Sequence, residues 1–254
     1  MRQTRCTHIL FDFFGTLVEY SASRTEQGFQ RSHDLLRRMG AGLTYEKFLA
    51  EWSQTSAEFD RLSERDDHEF SMIDVGTAFL ADALGSEPTQ AHIEAFIAEY
   101  VREWNEGVHY PPGIADLVSQ LAGEYRLAVV TNTHQATLVP NHLGAMGLLS
   151  SFDAVITSVE VGWRKPHPKI FATALDALEV TASAAVFVGD TYGPDFQGPE
   201  NAGIRAFLID PQQHAPVPEE QRLSSIFDLP GRLSRNAGSE AQPDRDSDDA
   251  EAIS

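Results

Sequence analysis

Five short apolar runs, each closed by small or polar residues, constrain the fold of this chain more than any other feature. His8 to Phe14 reads HILFDFF and stops at Gly15-Thr16; the others are RLAVVTN from Arg126, DAVITS from Asp153, AAVFVGD from Ala184 and IRAFLID from Ile204. Runs of this length bounded by turn residues suit buried parallel strands. In the second half they alternate with segments of helix length, the pattern of a doubly wound parallel sheet. The expected class is α/β with a Rossmann-like core.

Between the first and second runs the periodicity changes. Ile93, Phe96, Ile97, Tyr100, Val101 and Trp104 recur at the spacing of one apolar helix face. Phe48, Leu49, Trp52, Phe59 and Leu62 suggest another such helix, and Phe79, Leu80, Ala83 and Leu84 end a third before Gly85. With no convincing strand between about 20 and 105, an all-helical insertion is expected, its aromatic stripes serving as core packing rather than a cofactor box. From Arg232 onward the chain is rich in Ser, Ala, Asp and Glu and nearly devoid of large apolar residues, the composition of disorder. The expected organisation is an α/β core over 1–19 and 106–231, a helical cap over 20–105 and a disordered acidic tail over 232–254. A length of 254 residues suits one core with a large insertion.

Charge and cysteine content narrow the function. Against 38 Asp plus Glu there are 19 Lys plus Arg, a formal charge of −19, which repels the phosphates of nucleic acid and anionic membrane surfaces. Neither is an expected partner. An anionic small molecule is compatible only if a metal ion and local cations reverse the potential inside a site. Cys6, the one cysteine, excludes an internal disulfide, and a cytoplasmic location is expected. Asp12 interrupts the apolar part of MRQTRCTHILFDFF, so no signal peptide is expected, and no stretch approaches the roughly 20 apolar residues of a membrane helix.

Ligands in open parallel α/β sheets bind beyond the carboxyl ends of the strands. The first run ends in Asp12, the second in Thr131-Asn132, and the run from Ala184 in Gly189-Asp190, with Asp195 five residues further on. Lys165 lies in GWRKPHP, ahead of a helix that Pro166 and Pro168 help to start. One cation, three carboxylates and two hydroxyl or amide donors would meet in one crevice. Each also has a purely structural reading: Asp195 or Thr131 could cap the helix that follows, and Lys165 could lie on the surface.

Taken together, Asp12-Phe13-Phe14-Gly15-Thr16, Thr131, Lys165, and Gly189-Asp190 through Asp195 resemble the four motifs of the haloacid dehalogenase superfamily, in order. The stretch FVGDTYGPDFQGPENAGIRAFLI is similar to the fourth motif and the strand after it, and the helical insertion matches the cap found between motifs one and two. The resemblance implies that Asp12 is a nucleophile forming an aspartyl intermediate that water later cleaves. It implies that Thr16, Thr131, Asn132 and Lys165 hold the transferring group, Lys165 offsetting charge in the transition state. It also implies Mg²⁺ held by Asp12, Asp190, Asp195 and the backbone carbonyl of Phe14, a hard oxygen set that suits this ion.

One position departs from the pattern. Phosphatases of the superfamily carry a second Asp two residues after the nucleophile, as general acid and then base; here that residue is Phe14. A positioned acid–base contributes about 10² to 10⁴ in rate, so alkyl phosphates, whose alkoxide leaves poorly, should suffer most. The dehalogenases of the superfamily carry an aromatic residue at this position, but they work without metal and typically lack the first acidic residue of motif four. No cap arginine stands out as their counterpart among Arg24, Arg31, Arg37 and Arg61. The phosphonate-cleaving branch uses a cap lysine, which Lys47 in TYEKFLAEW does not resemble. His134 has a pKa range suited to replacing the acid, although a solvent-facing place in the first turn of a helix is the plainer expectation. The expected activity is Mg²⁺-dependent hydrolysis of a small phosphorylated metabolite, with 2-haloacid dehalogenation or a catalytically weak binding role as alternatives.

Overall fold

The computed structural model of the chain describes residues 6–20 and 27–238, without the side chains of 235–238. In chain order, strands β1 (His8–Phe11) and β2 (Glu19–Tyr20) precede four helices, α1 (Gln30–Arg38), α2 (Tyr45–Ser63), α3 (Met72–Leu84) and α4 (Gln90–Trp104). There follow β3 (Val108–His109), α5 (Ile114–Ala122), β4 (Arg126–Thr131), α6 (Leu138–Ala145), β5 (Ala154–Thr157), α7 (Ser158–Val161) and α8 (Pro168–Ala177). The chain continues through β6 (Ala185–Gly189), a π-helical turn Tyr192–Gln197, α9 (Gly198–Asn201), β7 (Arg205–Ile209), β8 (Arg222–Leu223) and α10 (Leu229–Gly238).

Six strands form one parallel sheet in the order β5-β4-β1-β6-β7-β8. Alternation of side chains along each strand divides the core into two layers. Ile9 and Phe11 of β1 pack on one face with Leu127, Val129, Val186 and Val188. Leu10, between them in sequence, packs on the other face with Phe187, Ile170 and Phe171. All four β1 residues are buried, which is why the run is uniformly apolar rather than alternating. From β1 the chain turns to one side to form β4 and β5, then returns to lay β6 against the other edge of β1. That reversal opens a crevice at the carboxyl ends of β1 and β6.

The four helices from α1 to α4 share a separate core in which Phe48, Phe79 and Phe96 are wholly or almost wholly buried. Their ends carry conventional signals. Thr44 and Thr89 accept from the backbone amides of Lys47 and His92, Ser71 and Asp74 form a reciprocal capping box, and Gly85 takes the left-handed conformation that closes α3. Helix α1, whose sequence QRSHDLLRR offers only two apolar residues, is held differently. The buried Glu103 carboxylate accepts from the amides of Arg31 and Ser32 and from the Ser32 hydroxyl, capping α1 from α4.

Two features differ from the sequence expectation. β2 and β3 pair antiparallel, Glu19 with His109 and Tyr20 with Val108, where the chain leaves and re-enters the sheet layer; two-residue strands leave no periodicity to read. α10 runs through Gly238, so residues 232–238 of the tail expected to be disordered are helical. Its Leu229 and Leu233, one turn apart, are buried in the core, which a composition average does not reveal. The remainder of the expected tail, 239–254, lies outside the described residues, as does Arg24. Among the described residues no helix is long and apolar enough to cross a membrane.

Candidate active site

Asp12 follows β1 directly, and its amide donates to the Val188 carbonyl (2.8 Å), so the sheet fixes its backbone while the side chain stands at the crevice. The carboxylate is 7% exposed. Its Oδ1 accepts from the Thr131 hydroxyl at 3.1 Å and from Lys165 Nζ at 2.7 Å. The same Nζ reaches Asp195 Oδ1 at 2.7 Å. Thr131 is therefore turned toward Asp12, and Lys165, 3% exposed, is not a surface residue.

Second contacts orient these groups. The Asn132 side chain donates to the Lys165 carbonyl (3.0 Å) and accepts from the Lys165 amide (2.8 Å), clamping the loop that delivers Nζ. Asn132, expected to hold substrate, also positions the lysine. Asp195 sits in the π-helical turn, where its Oδ2 accepts from the amides of Asp190 (3.2 Å) and Thr191 (2.9 Å). It shapes its own loop and binds Lys165 at once. Carboxylate oxygens of Asp12, Asp190 and Asp195 lie within 4.8 Å of one another. Gly15, at φ 86°, makes that approach possible, since a Cβ there would stand 2.1 Å from Asp190 Oδ2.

The electrostatics follow from burial and crowding. Burial pushes the Asp12 carboxyl upward, with Lys165 opposing and Asp195 reinforcing the shift. Asp190 is pushed up to about 7, by burial first and then by the charges of Asp12 and Asp195. Lys165 is raised: burial works against its charge, but the two carboxylates outweigh it. One buried ammonium faces three carboxylates, a surplus of hard, negative oxygen that fits a divalent cation such as Mg²⁺.

These groups form the floor of a cavity of about 580 Å³ whose other walls come from the helical layer, including Trp52, Tyr100 and Trp104. Phe14 also lines it. The Phe14 ring meets Phe13 at 4.9 Å, Trp104 at 5.2 Å, and Tyr20 and His142 at 6.1 Å, each edge to face. Thr16 is not among the lining residues; it is buried, and its hydroxyl has no hydrogen-bond partner among the described residues. It stands in the turn after Phe13, its amide donating to the Phe13 carbonyl at 3.4 Å.

His134 departs from its expectation. Helix α6 starts four residues later, and His134 lies in the preceding loop, stacked on Phe70 (4.2 Å) with Nδ1 3.0 Å from Glu69 Oε1. Glu69 and Arg164 were not readable as site residues, since neither carries a local motif. Arg164 lines the cavity and lies within 3.9 Å of Glu69 and 3.5 Å of Asp60.

Comparison with known proteins agrees with this geometry. The haloacid dehalogenase-like hydrolase family matches residues 9–209. Haloacid dehalogenase-like hydrolase domain-containing protein 3 of Homo sapiens is 39% identical over 110 residues, 41% of this chain and 43% of that protein. N-acylneuraminate-9-phosphatase of Homo sapiens is 35% identical over 123 residues, 46% of this chain and 49% of that protein. The chain thus matches less than half the length of these curated relatives. Among solved structures, a 2-haloacid dehalogenase from Pseudomonas syringae pv. Tomato DC3000 has a TM-score of 0.68 at 23% identity, covering 91% of this chain and 99% of that one, a likeness of fold alone. The family match begins in β1, ends with the last residue of β7 and takes in every member of the carboxylate and lysine cluster, so the chain belongs to the haloacid dehalogenase-like hydrolases.

Proposed function

We propose that the chain is an Mg²⁺-dependent phosphohydrolase that cleaves small phosphate monoesters through a covalent intermediate on Asp12. The observation that carries this reading is the cluster of three carboxylates, two of them bonded to one buried lysine, at the mouth of β1 and β6. Burial and the neighbouring charges of Asp12 and Asp195 make an ionised Asp190 costly where it stands, a cost that a cation held among the three would offset.

In the first half-reaction a carboxylate oxygen of Asp12 bonds to phosphorus as the bond to the leaving oxygen breaks. Thr131 and Lys165 hold the transferring group and offset its developing charge. Asp12, Asp190, Asp195 and the carbonyl of Phe14 would hold Mg²⁺, which lets an anionic nucleophile and an anionic substrate approach. Water then cleaves the aspartyl phosphate and restores the free carboxylate. Partial similarity to N-acylneuraminate-9-phosphatase of Homo sapiens and to glyceraldehyde 3-phosphate phosphatase of Methanothermobacter thermautotrophicus supports phosphoryl rather than other ester chemistry.

Phe14 favours a second reading, hydrolytic carbon–halogen cleavage, because a halide leaves without a proton. One set of assays decides between them. Mg²⁺-dependent release of phosphate from monoesters such as 4-nitrophenyl phosphate, lost with chelator and in Asp12→Asn, is the expected result. Chelator-insensitive release of chloride from a 2-chloroacid, with no phosphatase activity, would select the second reading.

A further inference from the structure

Outside the carboxylate cluster, a second ionisable assembly reaches the cavity through His134 and Arg164. Glu69 has no exposed side-chain surface, yet it is not buried among apolar groups alone. Its Oε1 accepts from the Phe70 amide (3.0 Å) and pairs with His134 Nδ1 (3.0 Å), its Oε2 accepts from the Ser158 hydroxyl, and Arg164 Nε lies at 3.9 Å. Burial pushes this carboxyl up, but His134, Ser158 and Arg164 outweigh it and hold the group below its ordinary value. An ionised carboxylate can only accept, so His134 Nδ1 must carry the hydrogen.

That assignment leaves Nε2 as the working nitrogen. Nε2 has no hydrogen-bond partner among the described residues, and His134 lines the cavity that Asp12, Thr131 and Lys165 floor. Its orientation is over-determined: the ring stacks on Phe70 at 14° and the His134 carbonyl accepts from the Met72 amide (2.8 Å). A carboxylate, an imidazole fixed by it and an unpartnered ring nitrogen on a residue that lines the cavity are the parts of a general acid.

We infer that His134, held by Glu69, replaces the general acid that Phe14 cannot supply and gives the leaving group its proton. This rests on the phosphohydrolase reading above. As Asp12 bonds to phosphorus and the ester P–O bond breaks, the imidazolium gives its Nε2 proton to the departing oxygen, releasing an alcohol and leaving neutral imidazole. In the second half-reaction water cleaves the aspartyl phosphate without this ring, its protons passing to phosphate and solvent, so that phosphate departs and Asp12 is free, while Nε2 regains its proton from solvent. Glu69 is a positioning residue, acting through His134; Arg164 and Asp60 are the remaining charged groups facing the pair.

The test compares glycerol 3-phosphate, whose alkoxide needs a proton, with 4-nitrophenyl phosphate, whose phenolate does not, in the full chain with Mg²⁺. His134→Asn is expected to lower kcat on the alkyl ester about 10²-fold or more while the aryl ester stays within about threefold and KM changes little. Glu69→Gln should act in the same direction, more weakly. In His134→Ala, added imidazole should restore alkyl turnover and leave aryl turnover alone. Equal losses on both esters, a change confined to KM, or no rescue by imidazole would mean that the pair only fastens the helical layer to the sheet, and would overturn the inference. A wild-type chain inactive on both esters would overturn the phosphohydrolase reading and the inference together, whereas equal losses in an active enzyme remove the inference alone.

Discussion

Asp12 and Trp52 line the same cavity, yet the regions they belong to are held by different forces. The floor at the strand ends is polar and crowded: Asp12, Lys165 and Asp195 share two contacts of 2.7 Å, and Asp12, Thr131, Asn132 and Lys165 are each fixed by a partner distant in sequence. The roof is an aromatic pack, in which Trp52 meets Tyr100 at 4.4 Å and Phe79 at 5.2 Å around a buried Phe96. Crowded like charges cost stability and provide chemistry; close-packed rings provide stability and leave chemistry to others. Substitutions in the two regions should therefore fail in opposite ways.

The largest effect is expected at Asp12. Asp12→Asn should lower turnover at least about 10⁴-fold without lowering the melting temperature, because Lys165 keeps Asp195 as a partner. A large drop in thermal stability would break the contrast. In the roof, Phe96→Ala should cost about 3–5 kcal/mol in chemical denaturation and leave kcat on an aryl phosphate within about tenfold. Loss of chemistry in the folded variant would mean that the roof does more than pack.

The next effect sharpens the claim that the floor is strained by its own charge. Asp190 is pushed up to about 7, so the folded chain binds its proton more tightly than the unfolded chain. Its contribution to stability is most favourable at low pH and is lost as pH rises through about 7. Asp190→Asn should stabilise the metal-free protein at pH 8 by about 1–2 kcal/mol, a figure reduced for partial solvent contact. It should also abolish any rise in melting temperature on adding Mg²⁺, a rise that in wild type should be larger at pH 8 than at pH 6. The smallest effect is expected at the opposite end of the sheet. There Arg126 and Asp153 form a solvent-exposed pair at 3.0 Å, and Asp153→Asn should move the melting temperature by no more than about 1 °C.

The same contrast explains what could be read from the residues alone. Asp12, Thr131 and Asp190 each end or directly follow an apolar run, and a strand of a parallel sheet presents such residues at one edge whatever the rest of the chain does. Lys165 was legible through the prolines that start α8. The clamp made by Asn132, the burial of Thr16 away from the cavity and the pairing of Glu69 with His134, 65 residues apart, depend on side-chain directions across packed elements, for which no local pattern exists. Helix α1 escaped for a related reason: its anchor is a carboxylate on α4, not an apolar stripe of its own.

The pairing of β2 with β3 makes the enzyme modular. Because Tyr20 and Val108 are neighbours across an antiparallel ladder, the point at which the chain departs from the sheet layer and the point of its return are a single joint. A two-residue turn of the kind that closes hairpins would bridge them, so an exchange of the insertion at this joint asks no strand of the core to shift register, provided the new insert renews the backbone bonds that Glu69, Met72 and Asp67 make to the core. Selectivity could then be re-engineered by transplanting roofs that retain Glu69, the residue through which the insertion reaches His134.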